Sequence, residues 1–186
     1  MKPFLLRVLL LALTTVAGWS YPVTLHAEST SANGEYQVKA AMIYKILSYV
    51  EWPSEILLAE NSPLNICVVG SGAMDNVVPA LNGQRQKGHP LIARKITIAD
   101  DAKKCQVLVI NTSERLQLPA IIEKTQQLPL LTISDLNGFS EGGGTVELAK
   151  EGSKIRLEIN LSAARQHRIK ISSQLLKLAL IVRGEK

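Results

Sequence analysis

The sequence predicts a single α/β domain, with a mixed sheet of about five to six strands flanked by helices. Three observations carry this expectation. Short apolar runs bounded by Gly, Pro and Asn alternate with helix-period segments through the middle of the chain. A hairpin pattern follows, with strand-like segments on either side of Lys150-Glu151-Gly152-Ser153. Beyond the N-terminus, no apolar run is long enough to span a bilayer, and neither an internal repeat nor a low-complexity segment is present.

At the N-terminus, Lys2 and Arg7 accompany an apolar core that runs to Ala17, and Thr24-Leu25-His26-Ala27 leads into Glu28. This is the pattern of a secretory signal peptide over residues 1–27, cut after Ala27. Residues 28–34 are small and polar and read as a disordered tail, which leaves 35–186 as the folded domain. Over 35–51, Val38, Met42, Ile46 and Tyr49 recur at helical spacing, with Ile43, Leu47 and Val50 widening the face. Trp52-Pro53 ends that helix, because the residue before proline is pushed out of the α region.

Residues 64–69 form a short apolar run between Pro63 and Gly70, the mark of a buried strand. Residues 73–81 suit a short helix that Pro79 weakens, and Asn82-Gly83 is a turn signal. Residues 91–98 alternate and read as a second strand. Residues 107–110 are wholly apolar and read as a central third. A helix over 115–127 starts near Pro119, and 130–133 is a fourth strand. Asn137-Gly138 and Gly142-Gly143-Gly144 bracket a loop expected to be flexible. The hairpin strands are 145–149 and 154–159, and Asn160 caps a helix over 161–166. A stronger helix is expected over 172–182, where the apolar residues leave almost no polar face.

Composition bounds the function. Export removes Lys2 and Arg7 and no acid, so the formal charge of +5 falls by two to +3. That balance is too mild and too dispersed to argue for nucleic acid. Cys67 and Cys105 are an even pair in an oxidising compartment and read as a disulfide, with two separate buried thiols as the other reading. Gly70-Ser71-Gly72 follows a strand and precedes a helix, where backbone amides can cradle phosphate. The third glycine of the dinucleotide fingerprint is missing, and a tight turn explains the pair equally well. His89 and His167 read as solvated or capping groups. No HExxH, GxSxG or paired Cys/His metal spacing occurs. The residues alone describe an exported soluble domain that is not an enzyme and needs no cofactor.

Two long segments add to this reading. The first is Tyr36-Gln37-Val38-Lys39-Ala40-Ala41-Met42-Ile43-Tyr44, continuing through Tyr49-Val50-Glu51-Trp52-Pro53. The second runs from Gly143-Gly144 through Ile155-Arg156-Leu157-Glu158-Ile159-Asn160 to Ile171-Ser172-Ser173-Gln174-Leu175-Leu176-Lys177-Leu178-Ala179. Together with Ile66-Cys67-Val68-Val69-Gly70 and Cys105-Gln106-Val107-Leu108-Val109, they resemble the YfiR-like family in the same order. The resemblance implies an exported, often dimeric α/β protein with a disulfide between Cys67 and Cys105. It implies an inhibitor that holds the periplasmic sensor domain of an inner-membrane diguanylate cyclase inactive. An outer-membrane lipoprotein of the YfiB type sequesters the inhibitor, cyclic di-GMP then rises, and the cell shifts toward biofilm. A second cysteine pair found near the glycine-rich loop of some members is absent here.

An inhibitor of this kind needs a surface whose affinity differs between two states of its target, and no catalytic group. Leu175, Leu176, Leu178 and Ile181 are candidates for such a partner or dimer interface, against the alternative of a buried core helix. Trp52 is either an interface anchor or a staple of the first helix to the core. A small-ligand-binding accessory protein of another sensor or uptake system is the second functional expectation.

Overall fold

The computed structural model describes residues 28–56, 61–72, 74–97 and 99–184; the expected signal peptide, residues 1–27, lies outside them. The fold is organised by its most apolar runs, β2 (Leu64–Val69), β5 (Val107–Ile110) and β6 (Leu131–Ser134). They pair in parallel, β5 lying between β2 and β6. Side chains on a strand alternate between faces, so each strand feeds two cores. Ile66, Val68, Val107, Val109, Leu131 and Ile133 enter one core, while Cys67, Val69, Leu108 and Ile110 enter the other.

Helix α1 (Glu28–Leu47) covers the first core with Ile43, Ile46 and Leu47, all essentially solvent-free. Burying each of these side chains stabilises the fold by roughly 1.5–3 kcal/mol. Helix α3 (Leu118–Thr125) covers the second core with Ile121, together with Leu130 and Phe139. Pro119 in its first turn lacks only a donor that would have no helical partner there. The disulfide joins Cys67 on β2 to Cys105 ahead of β5, with Cα atoms 5.9 Å apart, inside this second core.

The sheet grows outward on both sides. α2 (Met74–Val77) and a 3₁₀ turn (Val78–Leu81) lead to β3 (Arg85–Gln86) and β4 (His89–Ile96), which pairs parallel to β2. Pro79 sits where the α-helix gives way to the 3₁₀ turn, as proline's missing donor requires. On the other side, β7 (Val146–Glu151) pairs parallel to β6 and forms an antiparallel hairpin with β8 (Lys154–Asn160). α4 (Leu161–Gln166) follows, with Asn160 Oδ1 accepting the Ala163 N–H at 2.9 Å as its cap. Among the described residues the main sheet has eight strands, more than expected, in the order β10-β8-β7-β6-β5-β2-β4-β3.

Five expectations are corrected. Residues 28–34 are helical and not a tail; they contain no proline, and one glycine is tolerated inside a helix. At its other end α1 stops at Leu47, because Val50–Glu51 form β1 and pair antiparallel with β9 (Lys170–Ile171). The buried face of α1 is also rotated. Lys39, Ala40, Ile43 and Ile46 point inward, while Val38 is 52% exposed.

The expected helix over 172–182 is instead a four-residue α5 (Ser173–Leu176), a turn, and β10 (Ile181–Arg183). Ser172 Oγ caps α5, and the chain then extends to pair parallel with β8, Ile181 opposite Glu158. An apolar run with no polar face suits a strand as well as a helix, and the open edge of β8 decides for β-branched Ile181 and Val182.

Finally, the glycine-rich loop is packed. Phe139 and Ser140 are fully buried, and both oxygens of the buried Glu147 accept backbone N–H groups, from Gly138 and Ser140. A Cβ at Gly144 would lie 2.1 Å from the Phe139 ring, so glycine is there for a close approach and not for mobility.

Candidate partner interface

The parallel strands change direction of succession between β2 and β5, since β4 lies on one side of β2 and β5–β6 on the other. Ligands of open α/β sheets commonly bind at such a switch point. Here the glycine turn beyond β2 is closed by the chain's own groups. Ser71 N–H donates to Ser113 Oγ at 2.8 Å, and Asn111 Nδ2 donates to Asp75 Oδ1 at 2.7 Å. A Cβ at Gly72 would fall 2.5 Å from Asn111 Oδ1. The tight-turn reading of Gly70-Ser71-Gly72 therefore accounts for both glycines.

The histidines occupy different environments. His89 is half-buried beside Ser62, its Nδ1 2.9 Å from the Ser62 carbonyl. His167 caps α4 through its backbone, but its ring is buried and not solvated as expected. Its Nδ1 lies 2.8 Å from the Leu128 carbonyl, which can only accept, so Nδ1 carries the proton. Burial pushes the His167 pKa below the usual imidazole value, against the opposing effect of that hydrogen bond. Stability from this group is therefore complete above about pH 6.5, the unfolded value. It is lost as pH falls from there toward the lower folded value, because only the unfolded state takes the proton. Unfolding by urea at several pH values is expected to show a shallower acid loss for His167→Asn than for wild type. Superimposable pH profiles would refute the assignment.

The residues with surface chemistry converge elsewhere, along the outer side of α1. A cavity of about 230 Å³ lies between α1, β8 and the α5 turn, lined by Met42, Tyr49, Ile155, Leu157, Leu175 and Leu178 among others. Leu175 is its buried floor, and Leu178 stands at the rim, 65% exposed. A second, larger hollow of about 720 Å³ continues past Val38 to the β7–β8 turn and shares Ile155 and Arg156 with the first. The two make one groove along α1, apolar on its floor and charged at its edges.

The charges are tied to the fold. Lys150 Nζ lies 2.6 Å from Glu35, and Arg156 Nε lies 2.9 Å from Glu151. Lys150 and then Lys39, by hydrogen bonds, hold the Glu35 carboxyl below the usual carboxylate value. Lys39 itself is buried, 2.8 Å from both Glu35 and Asp135. Burial alone would lower its pKa, and the bonds to Asp135 and Glu35 outweigh burial and raise it. This cluster pins α1 to the end of β6 and so fixes the groove's long wall.

Of the expected interface residues, Leu175 and Leu178 meet in the groove. Leu176 and Ile181 are half-buried, Ile181 on the edge strand β10. Trp52 lies apart. It packs half-buried against the first core, and its Nε1–H donates to the Gln106 carbonyl at 3.1 Å. The outward Val38–Met42–Lys45 stripe was not separable from the core face by periodicity, since Val38 and Met42 also fit the apolar pattern of α1. Among the described residues, no cluster of three or more His, Cys, Asp or Glu side chains is placed to hold a metal, and no helix is long and apolar enough to cross a membrane.

Comparison with solved structures places the fold beside a conserved domain protein from Vibrio cholerae O1 biovar El Tor. The TM-score is 0.53 at 16% identity, over 80% of this chain and 60% of that one. Weaker likenesses are to an ABC domain in complex with L-Trp from Streptococcus pneumoniae and to CD0873 from Clostridium difficile, described as a substrate binding protein with adhesive properties. The first has a TM-score of 0.47 at 11% identity, over 68% of this chain and 58% of that one. The second has a TM-score of 0.45 at 11% identity, over 71% and 59%. The chain thus spans about three fifths of each of these proteins. The YfiR/HmsC-like family profile, by contrast, matches residues 36–180. By this match, across the sheet, its helices and the groove, the chain belongs to the YfiR/HmsC-like family.

Proposed function

We propose that this protein is an exported inhibitory binding protein that represses a membrane-bound diguanylate cyclase by binding its periplasmic sensor domain. Family membership carries a periplasmic regulatory role and is the observation on which the reading rests. The groove along α1 supports it, because exposed Leu178 beside a packed apolar floor is what a protein partner can bury. Inhibition follows from preferring the inactive sensor conformation. Moving a target from 99:1 active to 99:1 inactive takes a preference of about 10⁴-fold, or about 5.5 kcal/mol. Cleavage after Ala27, sequestration by an outer-membrane lipoprotein of the YfiB type, and a homodimer complete the proposal.

The test uses the mature chain and the periplasmic domain of an inner-membrane diguanylate cyclase from the same cell. Calorimetry is expected to show a saturable complex, and the chain added to cyclase in vesicles, on the periplasmic side, is expected to lower synthesis of cyclic di-GMP. Binding without any change in synthesis would reject inhibition, and no binding would reject the partner.

A further inference from the structure

We propose that the groove between α1, β8 and the α5 turn receives an acidic amphipathic segment of a partner protein. The inference leans on the regulatory reading above for there being a protein partner, but its chemistry comes from the groove itself. Apolar side chains line both hollows, Val38 and Ile155 in one and Ile155, Met42, Leu175 and Leu178 in the other, and the two adjoin at Ile155. Among the described residues the groove's edges carry Lys45, Lys150, Lys154 and Arg156 against one lining carboxylate, that of Glu35. Even with Glu151, which pairs with Arg156, cations outnumber anions. Lys150 is 60% exposed and Arg156 42% exposed, so both can reach a ligand while keeping their present partners.

The dimensions suit a helix or extended segment of a few turns. From Gly34 to Leu47 the wall of α1 is roughly 20 Å long at about 1.5 Å per residue. A segment with apolar residues at helical spacing would lay them on the floor between Met42 and Leu178, and acidic flanks would meet the cationic edges. A second copy of this chain is a poor occupant by the same argument, because a two-fold contact through this face would oppose its own cations. The proposed homodimer then uses another face and leaves the groove open.

The test needs no identified partner. A fluorescent peptide of about 14 residues, long enough for the groove, carries leucines at helical spacing with glutamates at its flanks. A matched peptide has lysine in place of glutamate. Against the mature chain, the acidic peptide is expected to bind at least about tenfold more tightly, and to weaken as salt is raised. Lys154→Glu with Arg156→Glu, and separately Leu178→Ser, are expected to weaken it about tenfold or more, while Lys103→Glu, on the exposed 3₁₀ turn before Cys105 that packs on the second core and lines neither hollow, leaves it unchanged. Leu178 is mostly exposed, so its variant keeps the fold, checked by circular dichroism. Equal binding of the two peptides, insensitivity to the groove variants, binding of phosphatidylglycerol vesicles alone, or self-association that the groove variants abolish would each overturn the inference. The same variants against the cyclase domain separate the two readings. If wild type binds and the groove variants bind equally, the groove assignment fails and the inhibitor reading stands. If wild type binds the acidic peptide but no cyclase domain, the reverse holds.

Discussion

Lys39→Met is expected to destabilise the protein by about 3–5 kcal/mol, the cost of leaving a buried charge without its partner. Lys39 and Asp135 side chains are each only 4% exposed and lie 2.8 Å apart. Among the described residues Asp135 Oδ1 is buried with no hydrogen-bond partner, and Lys39 Nζ is the cation beside the other oxygen, so removing it leaves the carboxylate's charge uncompensated at close range. For a domain of this size the loss corresponds to a fall of roughly 6–20 °C in Tm. The expectation has a second half. Replacing both groups, as Lys39→Met with Asp135→Leu, removes the uncompensated charge along with the pair, and is expected to recover most of the loss. Urea unfolding of wild type, both single variants and the double variant measures the coupling directly. A coupling near zero, with the single effects simply adding, would show that the pair does not act as a unit.

Loss of the disulfide is expected to cost nearly as much. Cys67 and Cys105 are separated by 38 residues, and closing a loop of that length stabilises the fold by about 4 kcal/mol in the chain-entropy model. The bridge also ties β2 to the segment that leads into β5, the two strands at the centre of the sheet. The Cys67→Ala, Cys105→Ala variant is expected to fold with a Tm lower by roughly 8–16 °C. Mass measurement with alkylation, before and after reduction, is expected to find no free thiol in the oxidised native chain. An unchanged Tm in the variant would mean that the unfolded chain is already constrained without the bridge.

Much of the fold was legible because it rests on local patterns. The apolar runs of β2 and β5 announce central strands, and the Gly152 turn announces the β7–β8 hairpin. Asn160 marks the start of α4, where its side chain accepts the Ala163 N–H. Apart from the helical start of α1 at 28–34, the misreadings lie where a distant partner decides between two local options. Ile181 and Val182 join the sheet because β8 offers an open edge, and nothing within residues 172–182 shows that edge. Val50 and Glu51 leave the helix because β9 pairs with them from far along the chain. The loop of 137–144 reads as flexible by its glycines, yet Glu147 and the Phe139 ring lock it.

The candidate interface was legible only in part. Leu178 stood out by its hydrophobicity, but its exposure follows from the turn between α5 and β10, which a helix over those residues would have hidden. The cationic edge of the groove joins Lys45 on α1 to Lys150, Lys154 and Arg156 on the hairpin, a convergence that no spacing rule along the chain reveals. Lys39 reads as an ordinary helical lysine until Asp135, 96 residues later, is placed beside it.

The central claim, that this chain restrains a diguanylate cyclase from the periplasm, is tested most directly by cellular cyclic di-GMP after clean deletion of its gene. The measurement is repeated in a strain that also lacks the cyclase with the matching periplasmic domain. The account predicts a rise in the single deletion that disappears in the double deletion. An unchanged level in the single deletion, under conditions where the protein is made, would contradict it.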